Sequence, residues 1–496
     1  MSKQVSFTLD GQEVTVPQGW TVMQAARQEK VAIPHFCWHP GLKVAGVCRF
    51  CLVHVEGARK LEISCNLVVQ PGMVVSTLRD EVKQAHKWAL EFHLLNHPLD
   101  CPICDQAGEC GLQDYYMEVG LYQSQMTRPK VLKPKALDVG SELVLDTERC
   151  ILCSKCVRFE DEVTKTGALG IFARGDRSII GTYHGQKITH QYQENLVDIC
   201  PVGAFTSRRF RFKQRVWFLK EKSSICPGCS TGCAIKVHGK PEMRRYFRVK
   251  PEEDQSVNGH WLCDKGRMTL EHLNPEARLM QAARWQAAQQ AWEFSPQTAP
   301  FIRELAQEIA RLAPQDIALL VSAQYTNEEY AEFFDYFVKQ RGITQVYQWR
   351  EPSEARDDFD GLLLRGDHNA NTRGLMAALK QVGIKAKIGD QLEKCVAAKP
   401  QLVIALSPEI SFTAPSLPEQ LAQLNSLARV SLWTTHFSAS QWTQLWQLLP
   451  LRGFAEKIGT VTNYQGKTRV LKEAFPPVAS EVLAISQIIA GLHKEL

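Results

Sequence analysis

Cys150, Cys153 and Cys156 stand at C-x2-C-x2-C spacing, and an isolated Cys-Pro pair follows at Cys200 and Pro201. Three thiolates separated by two residues each can take three corners of one iron-sulfide cube, and the later cysteine can take the fourth. A zinc ion would also accept four thiolates, but consecutive two-residue gaps suit a cube corner better than a tetrahedral clip. The chemistry such a group supplies is one-electron transfer. Sixteen cysteines occur in the 496 residues, fifteen of them between Cys37 and Cys263. The opening MSKQVSFTLDGQEVTV alternates like a strand and lacks the apolar core of an export signal, so thiols this dense read as metal ligands rather than disulfides.

Three further constellations surround that one. Cys37, Cys48, Cys51 and Cys65 are spaced C-x10-C-x2-C-x13-C, the close pair and distant ligands that a plant-type 2Fe-2S cluster needs; a structural zinc site could use the same four. His97, Cys101, Cys104 and Cys110 form H-x3-C-x2-C-x5-C. Only three cysteines are local there, so a 4Fe-4S cluster needs a fourth ligand, and neutral imidazole suits iron. His93, one turn earlier, competes for that role. Imidazole in place of thiolate makes a cluster less anionic and should raise its potential. Cys226, Cys229, Cys233 and Cys263, at C-x2-C-x3-C-x29-C, give another 4Fe-4S spacing. Fifteen cysteines and one histidine are thereby assigned, and Cys395 is left as a buried small side chain.

The elements that must position these ligands are partly readable. Residues 4–16 read as two strands joined at Asp10-Gly11, Thr21 can cap a helix to about Glu29, and CLVHVEG reads as a strand. The small residues of VAGVC fit a loop wrapping closely around inorganic sulfide. From Leu78 to Asn96 a helical pattern puts Val82, Ala85, Ala89, Phe92 and Leu95 on one face and delivers His97 to its cysteines. Residues 128–147 read as a connector ending in a strand. In a two-cluster ferredoxin the places now held by Glu160, His190, Gln193 and Leu196 would be cysteines, so the Cys150 module resembles a two-cluster ferredoxin that keeps one cluster.

RRFRFKQRVWFLKEK (208–222) interleaves basic and aromatic residues. It reads as a solvated or subunit-facing strand rather than a nucleic-acid groove. Residues 271–300 read as a linker. Beyond it, DIALLVSA, FDGLLLRGD, QLVIALS and RVSLWTT alternate as strands with the helical AEFFDYFVKQ, RGLMAALKQVG and LPEQLAQLNSLA, an α/β signature. That half shows no GxGxxG, no P-loop and no nucleophile with its base.

Composition bounds the rest. A chain this long is expected to hold roughly three to five domains. Residues 1–270 carry 36 Lys and Arg against 29 Asp and Glu, and residues 271–496 carry 22 against 24. Thiolate-bound clusters are anions, so the N-terminal excess offsets cluster charge rather than pointing to nucleic acid. With no run of about 18 apolar residues, the expectation is a soluble intracellular chain that meets a membrane only through partners.

Taken together, the four constellations resemble those of the large iron-sulfur subunits of respiratory complex I, the G subunits of bacterial NADH-quinone oxidoreductase. The resemblance rests on all sixteen ligand positions within the first 270 residues. NANTRGL (369–375), EKIGTVTNYQGKTR (456–469) and Pro476-Pro477 resemble segments of that family's molybdopterin-oxidoreductase-like region, implying internal shortening. The implied fold class is multidomain α+β and α/β. It comprises a β-grasp 2Fe-2S ferredoxin domain (1–78), a helical domain with one histidine and three cysteine ligands (79–139), a bacterial-ferredoxin-like domain (140–220), a small 4Fe-4S domain (221–277) and a shortened α/β molybdopterin-oxidoreductase-like domain (278–496), the last structural.

The resemblance also implies roles. The chain would relay electrons within a proton-translocating NADH:quinone oxidoreductase, in its peripheral arm on the cytoplasmic side of the inner membrane. Cys37, Cys48, Cys51 and Cys65 would hold a 2Fe-2S cluster fed from the flavin of a partner. Cys150, Cys153, Cys156 and Cys200 would hold the next 4Fe-4S cluster, and His97, Cys101, Cys104 and Cys110 the one after. Cys226, Cys229, Cys233 and Cys263 would hold a third 4Fe-4S cluster, off the main path, and no molybdenum cofactor is expected. The implied partners are a flavin-bearing NADH-oxidising subunit, its small 2Fe-2S subunit and quinone-side iron-sulfur subunits. Three other readings compete. A diaphorase subunit of an NAD-reducing hydrogenase would lack the fourth motif and the α/β tail, a formate-dehydrogenase-like molybdenum enzyme would need far more chain, and a zinc scaffold would not explain the two ferredoxin-like contexts.

Overall fold

Asp10 and Gly11 both lie in the left-handed region, at φ 49° and 85°, and reverse the chain between strands β1 (Gln4–Leu9) and β2 (Gln12–Pro17). The twist of such a turn matches that of the strands it joins. The Asp10 carboxylate accepts hydrogen bonds at 2.6 Å from both the Thr77 backbone N–H and its hydroxyl, tying the hairpin to a later strand. Thr21 and Gln24 form a reciprocal capping box ahead of α1 (Val22–Gln28). The helix buries Val22, Met23, Ala25 and Ala26 in one core with Phe7, Leu9, Val14 and Val16. Strands β3 (Leu52–Val55), β4 (Glu62–Ile63) and β5 (Val74–Ser76) complete a mixed sheet, ordered β2-β1-β5-β3-β4, in which β1 and β5 are parallel.

This is a computed structural model, and it describes residues 3–120, 123–124, 126–350, 358–385, 391–409, 417–427, 429–437 and 444–495. The chain divides into two compact units, 1–218 and 219–496. In the first, helix α2 (Asp80–Leu94) follows the sheet and buries Val82, His86, Ala89, Leu90 and Glu91. The apolar face expected from the sequence is therefore rotated. Phe92 is 71% exposed, because two histidines hold the inward positions. His86 Nε2 lies 2.9 Å from the Leu52 carbonyl and His93 Nδ1 lies 2.7 Å from the Ala89 carbonyl. Helix α3 (Gly111–Val119) packs beside α2. Tyr115 on α3 and His93 on α2 close on the stacked rings of Phe36 and Phe50. That aromatic knot fixes the segments around Cys37 and Cys51.

Strands β6 (Leu137–Asp138) and β7 (Leu143–Leu145), helix α4 (Lys155–Phe159), strands β8 (Leu169–Phe172) and β9 (Ile179–Thr182), helix α5 (Asn195–Ile199) and strand β10 (Phe205–Ser207) complete this unit. β10 runs antiparallel to β7, so the chain leaving Cys200 returns alongside the chain entering Cys150. The basic stretch 208–222 is largely solvent-exposed, as expected, but it becomes a strand only at Lys220. Turns and a short 3-10 segment occupy it to Phe218, where its arginines bond to neighbouring acids and carbonyls. Arg208 reaches Asp138, Arg209 reaches Glu142, and Arg215 donates to the carbonyls of Pro102 and Cys104.

The second unit opens with an antiparallel sheet of β11 (Lys220–Ile225), β12 (Ala234–Lys240) and β13 (Arg245–Pro251), followed by the short helix α6 (Asp264–Arg267). Residues 271–300 are not a linker. Within them β14 (Ala282–Gln286) and β15 (Ala291–Ser295) pair as a hairpin, and helix α7 (Ala299–Arg311) begins. Their Ala and Trp residues serve a sheet edge rather than a flexible tether.

The remaining elements are β16 (Ile317–Val321), α8 (Asn327–Phe334), β17 (Gln345–Gln348), α9 (Thr372–Gln381), α10 (Leu392–Ala397), β18 (Leu402–Leu406), α11 (Leu417–Leu424), β19 (Val430–Thr434), β20 (Gln447–Pro450), a hairpin of β21 (Gly459–Thr462) and β22 (Thr468–Leu471), and α12 (Ile485–Glu495). Ala428, the last residue of LPEQLAQLNSLA, lies outside the described residues.

The large sheet is ordered β15-β14-β20-β19-β18-β16-β17, parallel from β20 to β17. Along β16, Ile317, Leu319 and Val321 enter one core with α7, α8, α9 and α12, while Ala318 and Leu320 enter the other with α10 and α11. Burial on both faces is what makes these strands near-continuous apolar runs. Cys395 is fully buried in the second core. FDGLLLRGD departs from expectation: it is a bent loop closed by a Phe359–Arg365 bridge, not a strand. Among the described residues no helix is long and apolar enough to cross a membrane. Leu319→Ala is expected to cost about 2–5 kcal/mol, measured by chemical denaturation of the full chain.

Candidate metal centres

Cys37, Cys48, Cys51 and Cys65 are brought together as two hydrogen-bonded thiol pairs, Cys37 with Cys48 and Cys51 with Cys65, all four buried. Hydrogen bonding from Cys48 draws Cys37 down to about 5, helped by the peptide N–H groups of Val47 and Cys48 and by the Arg158 charge. Hydrogen bonding from Cys65 draws Cys51 down to about 7, and the donor of each pair is pushed up. Two pairs of sulfurs suit two irons taking two thiolates each. The loop that carries Cys48 uses left-handed backbone at Gly46 and Arg49, at φ 65° and 52°. A Cβ on Gly46 would stand 3.1 Å from Ile63 Cδ1, so the VAGVC small residues serve close packing as well as turning.

Cys150, Cys153, Cys156 and Cys200 form a second group. Burial pushes Cys150 to about 12 and Cys153 to about 11, and Cys156 goes well above its ordinary value under burial and the other three thiols. Leu152 and Ser154 take positive φ of 55° and 62°, which curls the loop so that peptide N–H groups face sulfur. Leu152 N–H donates to Cys150 Sγ at 3.3 Å, and Lys155 and Val157 serve Cys153 and Cys156.

The third group adjoins the second. Gly111 N–H donates to the Pro201 carbonyl at 3.0 Å, and a Cβ on Gly203 would stand 2.2 Å from Cys104 Sγ. Cys110 precedes α3 and receives the N–H groups of Leu112 and Gln113, while burial raises it to about 11. Burial also raises Cys104, whereas Cys101 is exposed. His97 shares a cavity of about 470 Å³ with Cys101. Burial first, then the charges of Lys130 and Arg149, holds its imidazole down to about 4, and its Nδ1 is buried without a hydrogen-bond partner. A neutral ring with a buried open lone pair is what a metal needs from histidine. His93, the competitor, is committed to the aromatic knot.

The fourth group, Cys226, Cys229, Cys233 and Cys263, lies in the second unit and is fully buried. Burial raises Cys226 to about 12 and the other three above their ordinary values. Gly228 N–H donates to Cys226 Sγ at 3.4 Å and Gly266 N–H to Cys263 Sγ at 3.3 Å. A Cβ on Gly266 would stand 3.1 Å from Cys226 Sγ. Distant segments brace this loop. Thr231 donates to the Leu363 carbonyl, Ser230 N–H to the Asp367 carbonyl and Tyr464 N–H to the Ser230 carbonyl. Arg365 contributes a backbone hydrogen bond to Cys229 and stacks on Tyr464 at 3.5 Å.

All sixteen expected residues thus fall into their four groups. The donor sets, their N–H partners and the open His97 nitrogen fit iron-sulfur clusters. Sequence reasoning passed over Arg149, Lys155, Arg158, Gly203, Arg365 and Asp367. The arginines flanking RCILCSKCVR were the available signal; the bracing residues had none.

Four family models match the chain. A 2Fe-2S iron-sulfur cluster binding domain covers residues 2–80, and the NADH-ubiquinone oxidoreductase-G iron-sulfur binding region covers 87–125. The ferredoxin-like domain of NADH-quinone oxidoreductase subunit 3 covers 140–206, and the molybdopterin oxidoreductase Fe4S4 domain covers 219–275. The NADH-quinone oxidoreductase G subunit of Streptomyces coelicolor is 41% identical over 280 residues, 55% of this chain and 33% of that protein. Over those four segments the chain is similar to the G subunits of NADH-quinone oxidoreductase. The mitochondrial NADH dehydrogenase (ubiquinone) iron-sulfur protein 1 of Solanum tuberosum is 41% identical over 272 residues, 54% of this chain and 36% of that one. The chain spans about a third of the length of these relatives. A chain of a crystal structure of NAD+-reducing NiFe-hydrogenase in the H2-reduced state is 30% identical, covering 43% of this chain and 91% of that one, with a TM-score of 0.40.

Gly203→Ala forces the Cys104 sulfur to move and is expected to remove about four irons per chain while the 2Fe-2S signal persists. Iron analysis with low-temperature EPR checks this, and unchanged iron would show that the sulfur can yield.

Proposed function

We propose that this chain is an electron-relay iron-sulfur subunit of the peripheral arm of an NADH:quinone oxidoreductase, and that it performs no bond chemistry itself. Cys37, Cys48, Cys51 and Cys65 hold a 2Fe-2S cluster. Cys150, Cys153, Cys156 and Cys200 hold one 4Fe-4S cluster, and His97, Cys101, Cys104 and Cys110 hold the next. Cys226, Cys229, Cys233 and Cys263 hold a further 4Fe-4S cluster. When bound, these groups supply one-electron redox chemistry.

The chain's own residues do the rest. Buried loops exclude water from the sulfurs, peptide N–H groups offset thiolate charge, and neutral His97 lends one less negative ligand than a cysteine would. The observation that carries this reading is adjacency. The first three groups lie next to one another within one compact unit, with the Cys153 thiol feeling both Cys200 of its own group and Cys37 of the first, and the Cys110 thiol feeling Cys200. A wire needs neighbouring sites; separate structural zinc clips do not. Under this reading electrons arrive from a flavin-bearing, NADH-oxidising partner and its small 2Fe-2S subunit and leave toward quinone-side iron-sulfur subunits. The chain then sits on the cytoplasmic face of the inner membrane through those partners. The five domains, at 1–78, 79–139, 140–220, 221–277 and 278–496, belong to the same proposal.

Iron, sulfide and zinc analysis of anaerobically purified full chain, with low-temperature EPR after dithionite reduction, tests it. About fourteen irons per chain, negligible zinc and both 2Fe-2S and 4Fe-4S signals are expected. Zinc in place of iron, in protein never exposed to air, overturns the relay.

A further inference from the structure

We propose that Arg158 is the positioning residue of the first electron hand-off, the side chain that locks the Cys37 group to the Cys150 group and biases the electron between them. This rests on the relay reading above. Arg158 lies two residues beyond Cys156 on α4, and all three faces of its guanidinium are engaged. Its Nε donates to Ser154 Oγ at 3.3 Å, inside the loop between Cys153 and Cys156. Its two terminal nitrogens donate across to the carbonyls of Cys37 and Lys43. One planar fork therefore grips a ligand residue of the first group while anchored on the loop of the second. A second tie runs beside it, from the Lys43 N–H to the Glu162 carboxylate at 2.8 Å.

Arginine suits this place because its donors are rigidly arranged and its charge is permanent. The fork does two things at once. Electron transfer weakens steeply as the gap between two centres widens, and the bonds through Arg158 fix that gap at the backbone of Cys37 itself. A fixed cation near sulfur also favours the more negative, reduced form of the nearer cluster. In the step served, one electron leaves the reduced 2Fe-2S cluster and enters the oxidised 4Fe-4S cluster, with no proton or bond exchanged. Lys155, close to Cys153, Cys200 and Cys37, adds positive charge on the same seam but bonds neither loop to the other.

The test uses the full chain as Arg158→Gln and Arg158→Lys, purified anaerobically. Each variant is assayed for iron and sulfide, for the 2Fe-2S midpoint potential by EPR-monitored titration, and for the rate of electron equilibration between the two centres after flash reduction. With full iron in both variants, Arg158→Gln is expected to shift the 2Fe-2S potential to a more negative value and slow equilibration. Arg158→Lys is expected to restore the potential but not the rate, because lysine returns the charge without the fork. Native potential and native rate in fully loaded Arg158→Gln overturn the proposal. Loss of 2Fe-2S iron from both variants overturns it too, making Arg158 a folding residue only. Zinc in the unsubstituted chain is a separate outcome, since it removes the relay reading before Arg158 is examined.

Discussion

A sulfur that is to hold iron has to be a thiolate out of water, and water is what a thiolate prefers. Most of this protein's local architecture answers that conflict. Burial first, and then neighbouring thiols, drive Cys110, Cys150, Cys153 and Cys226 upward, so each loop must return some of the lost solvation. It does so with peptide N–H groups, which are fixed dipoles needing no counter-charge. Turning N–H groups toward a sulfur requires unusual backbone, and the first two groups each have two left-handed residues beside their cysteines: Gly46 and Arg49, then Leu152 and Ser154. The sheets, helices and aromatic knot hold those loops in the one shape that works.

The four ligand groups were legible because each depends mainly on local spacing, and local spacing is written directly in the sequence. The Asp10-Gly11 hairpin, the Thr21 cap and the apolar strands of the α/β half were legible for the same reason. What escaped was decided by partners far along the chain. Phe92 looked like core because only apolar side chains were counted, yet His86 and His93 point inward to reach carbonyls and rings. The stretch 208–222 is solvated as its composition implies, but it turns rather than extends up to Phe218, where Asp138, Glu142 and the carbonyls beside Cys104 bind its arginines. Residues 271–300 looked like a tether because nothing local reveals that β14 finds β20, whose first residue is Gln447.

The C-terminal half also proves less separable from the metal chemistry than its lack of motifs suggested. NANTRGL and EKIGTVTNYQGKTR, far apart in sequence, meet where Asn371 accepts the Thr462 N–H at 2.7 Å and Asn327 bonds Thr460 and Thr462. The same hairpin then reaches the Cys226 loop through Asn463 and Tyr464.

Those bonds make a clasp whose halves are separated by 132 residues at Thr231–Leu363 and 232 at Asn463–Thr231. A group held by Cys226, Cys229, Cys233 and Cys263 therefore shares its free energy with the large sheet. Anything that binds the folded loop and not the unfolded one stabilises both by mass action. Seen this way, the α/β half is a spring loaded by the loop it braces: emptying the loop would loosen amides more than a hundred residues away, and loosening the sheet would weaken the grip on the metal.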